Sequence, residues 1–187
     1  MRENLEIEFK YNATVSLSKF KEFCEIREPK KFLIISGYDH FYLNKDQPDS
    51  FYRHRVNTNE NQLTFKKKTT DTDNFVREEH NIDLPLTVSG EKIKALCNIN
   101  GYSYNTSIFK NCFIYNYDYY TLVFYIVYDL DLNELNRFIE IEMKEDYGWI
   151  SEEEAMSALI GLERVCKEIG ITRKVRITQS LFEMFRK

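Results

Sequence analysis

Glu6, Glu8 and Lys10 alternate with Ile7 and Phe9 near the start of the chain, inside Leu5-Glu6-Ile7-Glu8-Phe9-Lys10-Tyr11. Successive side chains of a strand point to opposite faces, so two carboxylates and an ammonium share one face. Leu5, Ile7, Phe9 and Tyr11 take the other and need covering. The pattern returns in further stretches that read as strands. Arg53 and Arg55 alternate in 51–56, Lys66 and Lys68 in 62–68, Arg77 and Glu79 in 74–84, Glu140 and Glu142 in 137–145. Lys110 sits in 106–116, and Asp129 ends 120–129.

One such strand is what any half-solvated antiparallel sheet offers. The signs of the charges argue for more. Two strands present only Arg or only Lys, and two present paired carboxylates. If the faces converge, like charges about 5 Å apart at an effective dielectric near 20 repel by roughly 3 kcal/mol. Seven cations (Lys10, Arg53, Arg55, Lys66, Lys68, Arg77, Lys110) are then expected to face a polyanion. Arg forks over two phosphate oxygens and Lys acts as a point charge. Carboxylates grouped without His or Cys suit a hard divalent ion, Mg²⁺ or Mn²⁺. Polyphosphate with metal is the chemistry this ladder implies.

The rest of the chain must position these faces. Its 187 residues, 30% charged and 43% hydrophobic, suit one globular domain over 1–187. The net charge of −4 gives no global pull toward nucleic acid or an anionic membrane. Cys24, Cys97, Cys112 and Cys166 lack a CxxC pair and read as reduced thiols in a cytoplasmic protein. No signal peptide precedes the first strand, and the apolar run 119–128 is too short to span a bilayer. Helices are expected at 16–28, at 89–98, from a capping box of Ser151 and Glu154, and at 178–185. Eight strands and about four helices result. His40, His54, His80, Trp149 and Tyr42 read as packing or surface. Lys174 and Arg176 read as surface, with a phosphate role if the C-terminal segment crosses a tunnel mouth. Lys144, in phase with Glu140 and Glu142, is a further interior candidate.

Glu6-x-Glu8-x-Lys10 resembles the ExExK signature of the CYTH superfamily, the triphosphate tunnel metalloenzymes. The likeness continues in order: Asp39 to Tyr42 with a D-x-Y-F element, Arg53-x-Arg55, Lys66-x-Lys68, Arg77-x-Glu79 with the start of RxExE, Lys110 with the start of KxR, and Glu140-Ile141-Glu142 with the terminal EIE strand. The resemblance implies an α+β fold: a closed eight-stranded antiparallel β-barrel, a tunnel with a polar lumen and helices packed outside. It implies Glu6, Glu8, Glu140 and Glu142 on metal, assisted by Asp129 and Glu79. Lys10, Arg53, Arg55, Lys66, Lys68, Arg77 and Lys110 would grip phosphate, with Glu6, Glu8 and Lys10 carrying the catalysis. Two residues depart from the pattern: Asn81 stands at the last Glu of RxExE, and Cys112 at the second basic position of KxR.

The expected activity is metal-dependent hydrolysis of a small-molecule triphosphate: tripolyphosphate, a nucleoside triphosphate or thiamine triphosphate. A class IV-type adenylyl cyclase, making cyclic AMP and pyrophosphate, is the second reading. A nucleotide- or polyphosphate-binding protein without turnover is the third. No membrane partner is expected, nucleic acid enters only as an RNA 5′-triphosphate end, and the protein is expected as monomer or homodimer.

Overall fold

The computed structural model describes residues 5–68, 76–144 and 152–186. In chain order the elements are β1 (Leu5–Asn12), α1 (Leu17–Glu25), β2 (Lys31–Leu43), β3 (Ser50–Val56), β4 (Asn61–Lys68), β5 (Val76–Asp83) and α2 (Gly90–Ile99). Then come β6 (Ser103–Asn116), β7 (Tyr120–Tyr128), β8 (Glu134–Met143), α3 (Glu152–Cys166), β9 (Arg176–Ile177) and α4 (Leu181–Phe185). Ser151 and Trp149 lie outside the described residues. Ser16 caps α1 as its position suggests, its hydroxyl accepting the Lys19 N–H at 3.3 Å.

The strands form one antiparallel sheet in the order β5-β4-β3-β2-β6-β7-β8-β1-β9. The two ends of this order meet at β1. Its first residues pair with β5 in the register Leu5↔Glu78, Glu6↔Arg77 and Ile7↔Val76, and its later ones with β8 from Glu8↔Glu142 to Asn12↔Phe138. The expected closed eight-stranded barrel is met in part. Among the described residues the curled sheet has nine strands, and three residue pairs join β5 to β1. The short β9, absent from the sequence expectation, takes the stretch of β1 that β5 does not reach, pairing Lys10↔Ile177 and Tyr11↔Arg176.

Strand alternation sorts the side chains as the sequence suggests. Ile7, Phe9 and Tyr11 face outward and are buried with Phe20 and Phe23 of α1 and Leu159 of α3. Burial of each such side chain contributes about 1.5–3 kcal/mol. Helix α2 covers β4 and neighbouring elements through Ile93 and Cys97, which pack on Tyr42, Leu63 and Tyr102. Tyr42 is thus outer packing. Beneath α3, Glu163 accepts the Tyr11 hydroxyl at 3.2 Å and binds Arg176 at 2.6 Å. The Arg176 guanidinium lies 3.7 Å from the centre of the Phe9 ring. Arg176 therefore clamps the C-terminal segment to the back of β1; it is neither surface nor a phosphate contact. Lys174 is exposed. No helix among the described residues is long and apolar enough to cross a membrane.

Candidate active site

The inward faces enclose a cavity of about 380 Å³. Six cations line it: Lys10 of β1, Arg53 and Arg55 of β3, Lys66 of β4, Arg77 of β5 and Lys110 of β6. Six carboxylates line it as well: Glu8, Asp39, Glu60, Glu79, Glu140 and Glu142. Residues 134 positions apart in the chain become neighbours because Glu8 and Glu142 are register partners on adjacent strands.

The charges form three groups. In the first, Asp39 of β2 is held by Arg55 Nε at 2.9 Å and Lys110 Nζ at 2.6 Å. Burial pushes the Asp39 carboxyl up, but Arg55, Lys110 and Arg53 outweigh it and hold it well below the usual carboxylate range. In the second, Glu79 meets Lys66 at 2.5 Å and Arg53 at 3.7 Å, and accepts the Asn81 amide at 2.8 Å. Burial raises this carboxyl too, and Lys66 and Arg53 prevail to lower it. In the third, around β1 and β8, Lys10 lies 3.5 Å from Glu8 and 3.2 Å from Glu140, and Arg77 of β5 lies 3.6 Å from Glu8. Tyr125 donates to Glu140 Oε1 at 2.8 Å; burial, then Glu140 and Glu8, hold its phenol well above the usual range.

Every predicted phosphate ligand therefore has a carboxylate within 4 Å, Lys68 included, through Glu183 at 2.5 Å. The inference that so many cations require a polyanion does not hold as first drawn, because neighbouring strands supply the counter-charges. Among the described residues the lining sets six cations against six carboxylates. Further negative charge entering such a lining would be costly away from bulk water unless a cation came with it. The donor set, all carboxylate oxygen on the β1–β8 side, fits a hard ion. Among the described residues, no three His, Cys, Asp or Glu side chains converge as a ready-made metal cluster.

Of the residues singled out from sequence, Glu8, Lys10, Arg53, Arg55, Lys66, Arg77, Glu79, Lys110, Glu140 and Glu142 meet in this cavity. The backbone of Glu6 pairs with Arg77, and its side chain lies outside the described residues. Two do not join them. Asp129 is in an exposed turn, where it accepts the Asn133 backbone N–H at 2.8 Å and side-chain amide at 2.9 Å; it caps the β7–β8 connection and does not line the cavity. Lys68 is in phase with Lys66 but is drawn to Glu183 of α4. Lys144 donates to the Tyr117 carbonyl at the strand end. His54 bonds Asn61 and His40 bonds Ser107, away from the lumen.

Sequence reasoning missed Asp39, the best-compensated carboxylate of the site, as a site residue. Its signal was present: it is the one acid in the apolar, aromatic stretch 32–44. Glu60, Gln62, Asn116, Thr121 and Ser180 also line the cavity and carry no distinguishing local pattern. The two departures have definite places. Asn81 braces Glu79 and accepts the Thr64 hydroxyl at 2.7 Å, while Cys112 lines the wall beside Lys110. Burial raises the Cys112 thiol, which stays protonated beside the cations.

No protein-family model matches the chain, and no curated protein matches it in sequence. Solved structures do match its fold. PH1012 from Pyrococcus horikoshii OT3 is 20% identical with a TM-score of 0.76, over 95% of this chain and 98% of that one. A Vibrio parahaemolyticus protein described as a "putative adenylate cyclase" is 13% identical with a TM-score of 0.68, over 98% of both. The RNA triphosphatase domain of a mimivirus mRNA capping enzyme is 12% identical with a TM-score of 0.52, over 88% of this chain and 90% of that one. At identities of 12–20% these likenesses are ones of fold, which the chain shares with each of the three over most of its length.

Proposed function

We propose that this chain hydrolyses small-molecule triphosphates inside a closed tunnel of the CYTH type, using Mg²⁺ or Mn²⁺. The observation that carries the reading is the common cavity into which β1, β2, β3, β4, β5, β6 and β8 each deliver charged side chains. Lys10, Arg53, Lys66 and Arg77 would exchange carboxylate partners for phosphate oxygens, and Arg55 and Lys110, anchored on Asp39, would present fixed donors. Glu8, Glu140 and Glu142, with Glu6 on the same strand face, would hold the ion. A bound divalent ion supplies charge neutralisation on phosphate oxygens and a more acidic water. The protein's own share is positioning and electrostatics, which suits phosphoryl transfer because it needs little covalent work. Tyr125, kept protonated, fixes the Glu140 carboxylate by its hydrogen bond. Glu79, already engaged by Lys66, Arg53 and Asn81, serves better as an anchor for those cations than as a metal ligand. Four free cysteines support a reducing, cytoplasmic setting.

The test is phosphate release from tripolyphosphate, ATP and thiamine triphosphate with Mg²⁺, Mn²⁺ or chelator. Metal-dependent release from at least one is expected. Tight binding of all three without release would instead favour the non-catalytic reading. A cyclase reading is favoured by one observation, the fold shared with the Vibrio protein over 98% of both chains. Product analysis separates the two: ADP and phosphate for the hydrolase, cyclic AMP and pyrophosphate for the cyclase.

A further inference from the structure

Among the described residues, seven strands bring charge into the cavity and β7 brings none: it gives the lining Thr121, Val123 and Tyr125. Val123 is the register partner of Glu140, and Tyr125 that of Phe138. Tyr125 is therefore the diagonal neighbour of Glu140 on the inner face, a separation that an aromatic side chain spans. Its hydroxyl donates to Glu140 Oε1 at 2.8 Å. The ring is itself held in place. Its centre lies 5.3 Å from that of Phe138, and the Lys110 ammonium, which binds Asp39 at 2.6 Å, lies 5.5 Å from it. The side chain is 1% exposed.

The kind of donor matters. Asp39 and Glu79 are each held by two cations, which offset the charge they bear. A phenol is a neutral donor, and it orients a carboxylate without cancelling its charge. Lys10 also reaches Glu140, at 3.2 Å, and on the same oxygen, Oε1. Two donors on one oxygen fix which way the carboxylate is turned. If Lys10 exchanges Glu140 for a phosphate oxygen, the Tyr125 hydrogen bond stays on Oε1 and keeps the carboxylate turned as it was. Donors behind a ligating carboxylate tune metal affinity in this way, because a ligand that must be reoriented at each binding event binds more weakly.

We infer that Tyr125 is a positioning residue: it keeps the Glu140 carboxylate oriented for a divalent ion when Lys10 leaves it for phosphate. This rests on the metal-dependent triphosphate reading above and adds to it a residue of β7, the strand that brings no charge. Tyr125 acts through Glu140 and touches neither the ion nor the phosphate chain.

The test uses imidotriphosphate, a triphosphate whose bridging NH groups resist hydrolysis. Its dissociation constant is measured by calorimetry with saturating Mn²⁺ and again with chelator, and the ratio of the two is the gain due to metal. Tyr125→Phe keeps the ring and removes only the hydroxyl. In that variant the gain is expected to fall about tenfold or more, with the metal-free constant within about twofold of its original value. In Glu140→Gln the gain falls too, and adding Tyr125→Phe is expected to change it by less than about twofold, because no carboxylate is left to orient. An unchanged gain in Tyr125→Phe, two constants that weaken together, or losses that multiply in the double variant overturn the positioning role and leave the triphosphate reading standing. Loss of the fold on removing this one hydroxyl, read from unfolding curves, assigns Tyr125 to the scaffold and overturns the role as well. If the intact protein binds imidotriphosphate no more tightly with Mn²⁺ than with chelator, the metal-dependent reading fails, and the positioning role with it.

Discussion

Two carboxylate centres share one cavity and are built differently. Asp39, 1% exposed, is gripped by two cations at 2.9 and 2.6 Å. Glu8, 8% exposed, has cations at 3.5 and 3.6 Å and a second carboxylate, Glu142, as its register partner. Directly opposed like charges on a sheet face are unfavourable. Removing one partner from a buried, tightly compensated pair is costly because the other charges stay behind. The difference separates a carboxylate closed tightly on its own cations from one whose described cation contacts are longer. Burial and charge alone do not make that distinction; the distances do.

The comparison can be broken from either side. Glu8→Gln should lower metal-dependent triphosphate hydrolysis by about 10³-fold, near 4 kcal/mol of barrier, while leaving the unfolding midpoint almost unmoved. Steady-state rates with a denaturation curve check both halves, and retained activity would sink the metal assignment. Asp39→Asn should do the reverse in kind: a loss of about 3 kcal/mol of stability, because Arg55 and Lys110 are left without their counter-charge. Equal stability in urea melts of the two proteins would make Asp39 an ordinary lining residue.

Acid sharpens the same contrast. The Asp39 carboxyl is depressed in the folded protein, so its stabilisation is fully present above the ordinary carboxylate range. It is lost as pH falls from about 4 toward the lower folded value. The natural protein should therefore lose stability more steeply than Asp39→Asn below about pH 4, as unfolding curves along a pH series would show. Parallel curves would remove Asp39 from the acid response. Arg53→Ala, which takes one cation from the Glu79 group, should raise KM for tripolyphosphate about tenfold with a smaller change in kcat. The smallest effect is expected at Asp129. Asp129→Asn should leave turnover within about twofold, since the turn it caps is away from the cavity. A large loss there would restore it to the site.

Much of this was legible in the chain. Alternation fixes which side of a strand each residue takes, because the strand period of two is a property of the backbone. That alone put Ile7, Phe9 and Tyr11 under helices and Glu8 and Lys10 inside. The residue types fixed the chemistry, oxygen donors and cations without histidine. Asp129 misled because closeness to a strand end says nothing of direction once the chain turns. Lys68 misled because its phase matched Lys66, and no local pattern announces that Glu183, 115 residues on, will claim it.

Tertiary structure alone decided how the charges are partnered. Pairing Asp39 with Arg55 and Lys110, and Glu8 with Glu142, depends on the register of three strand pairs, two of them distant in sequence. It also brought the C-terminal segment to the cavity, where Ser180, Leu181 and Phe182 join the lining. Leu181-Phe182-Glu183 reads as any short amphipathic turn, and only the fold shows it packed on Phe41, Phe51 and Lys68. Sequence thus determined which groups the lumen contains, through backbone periodicity and side-chain chemistry. The fold determined which charges stand beside one another, because that depends on distances the chain acquires only when the sheet curls.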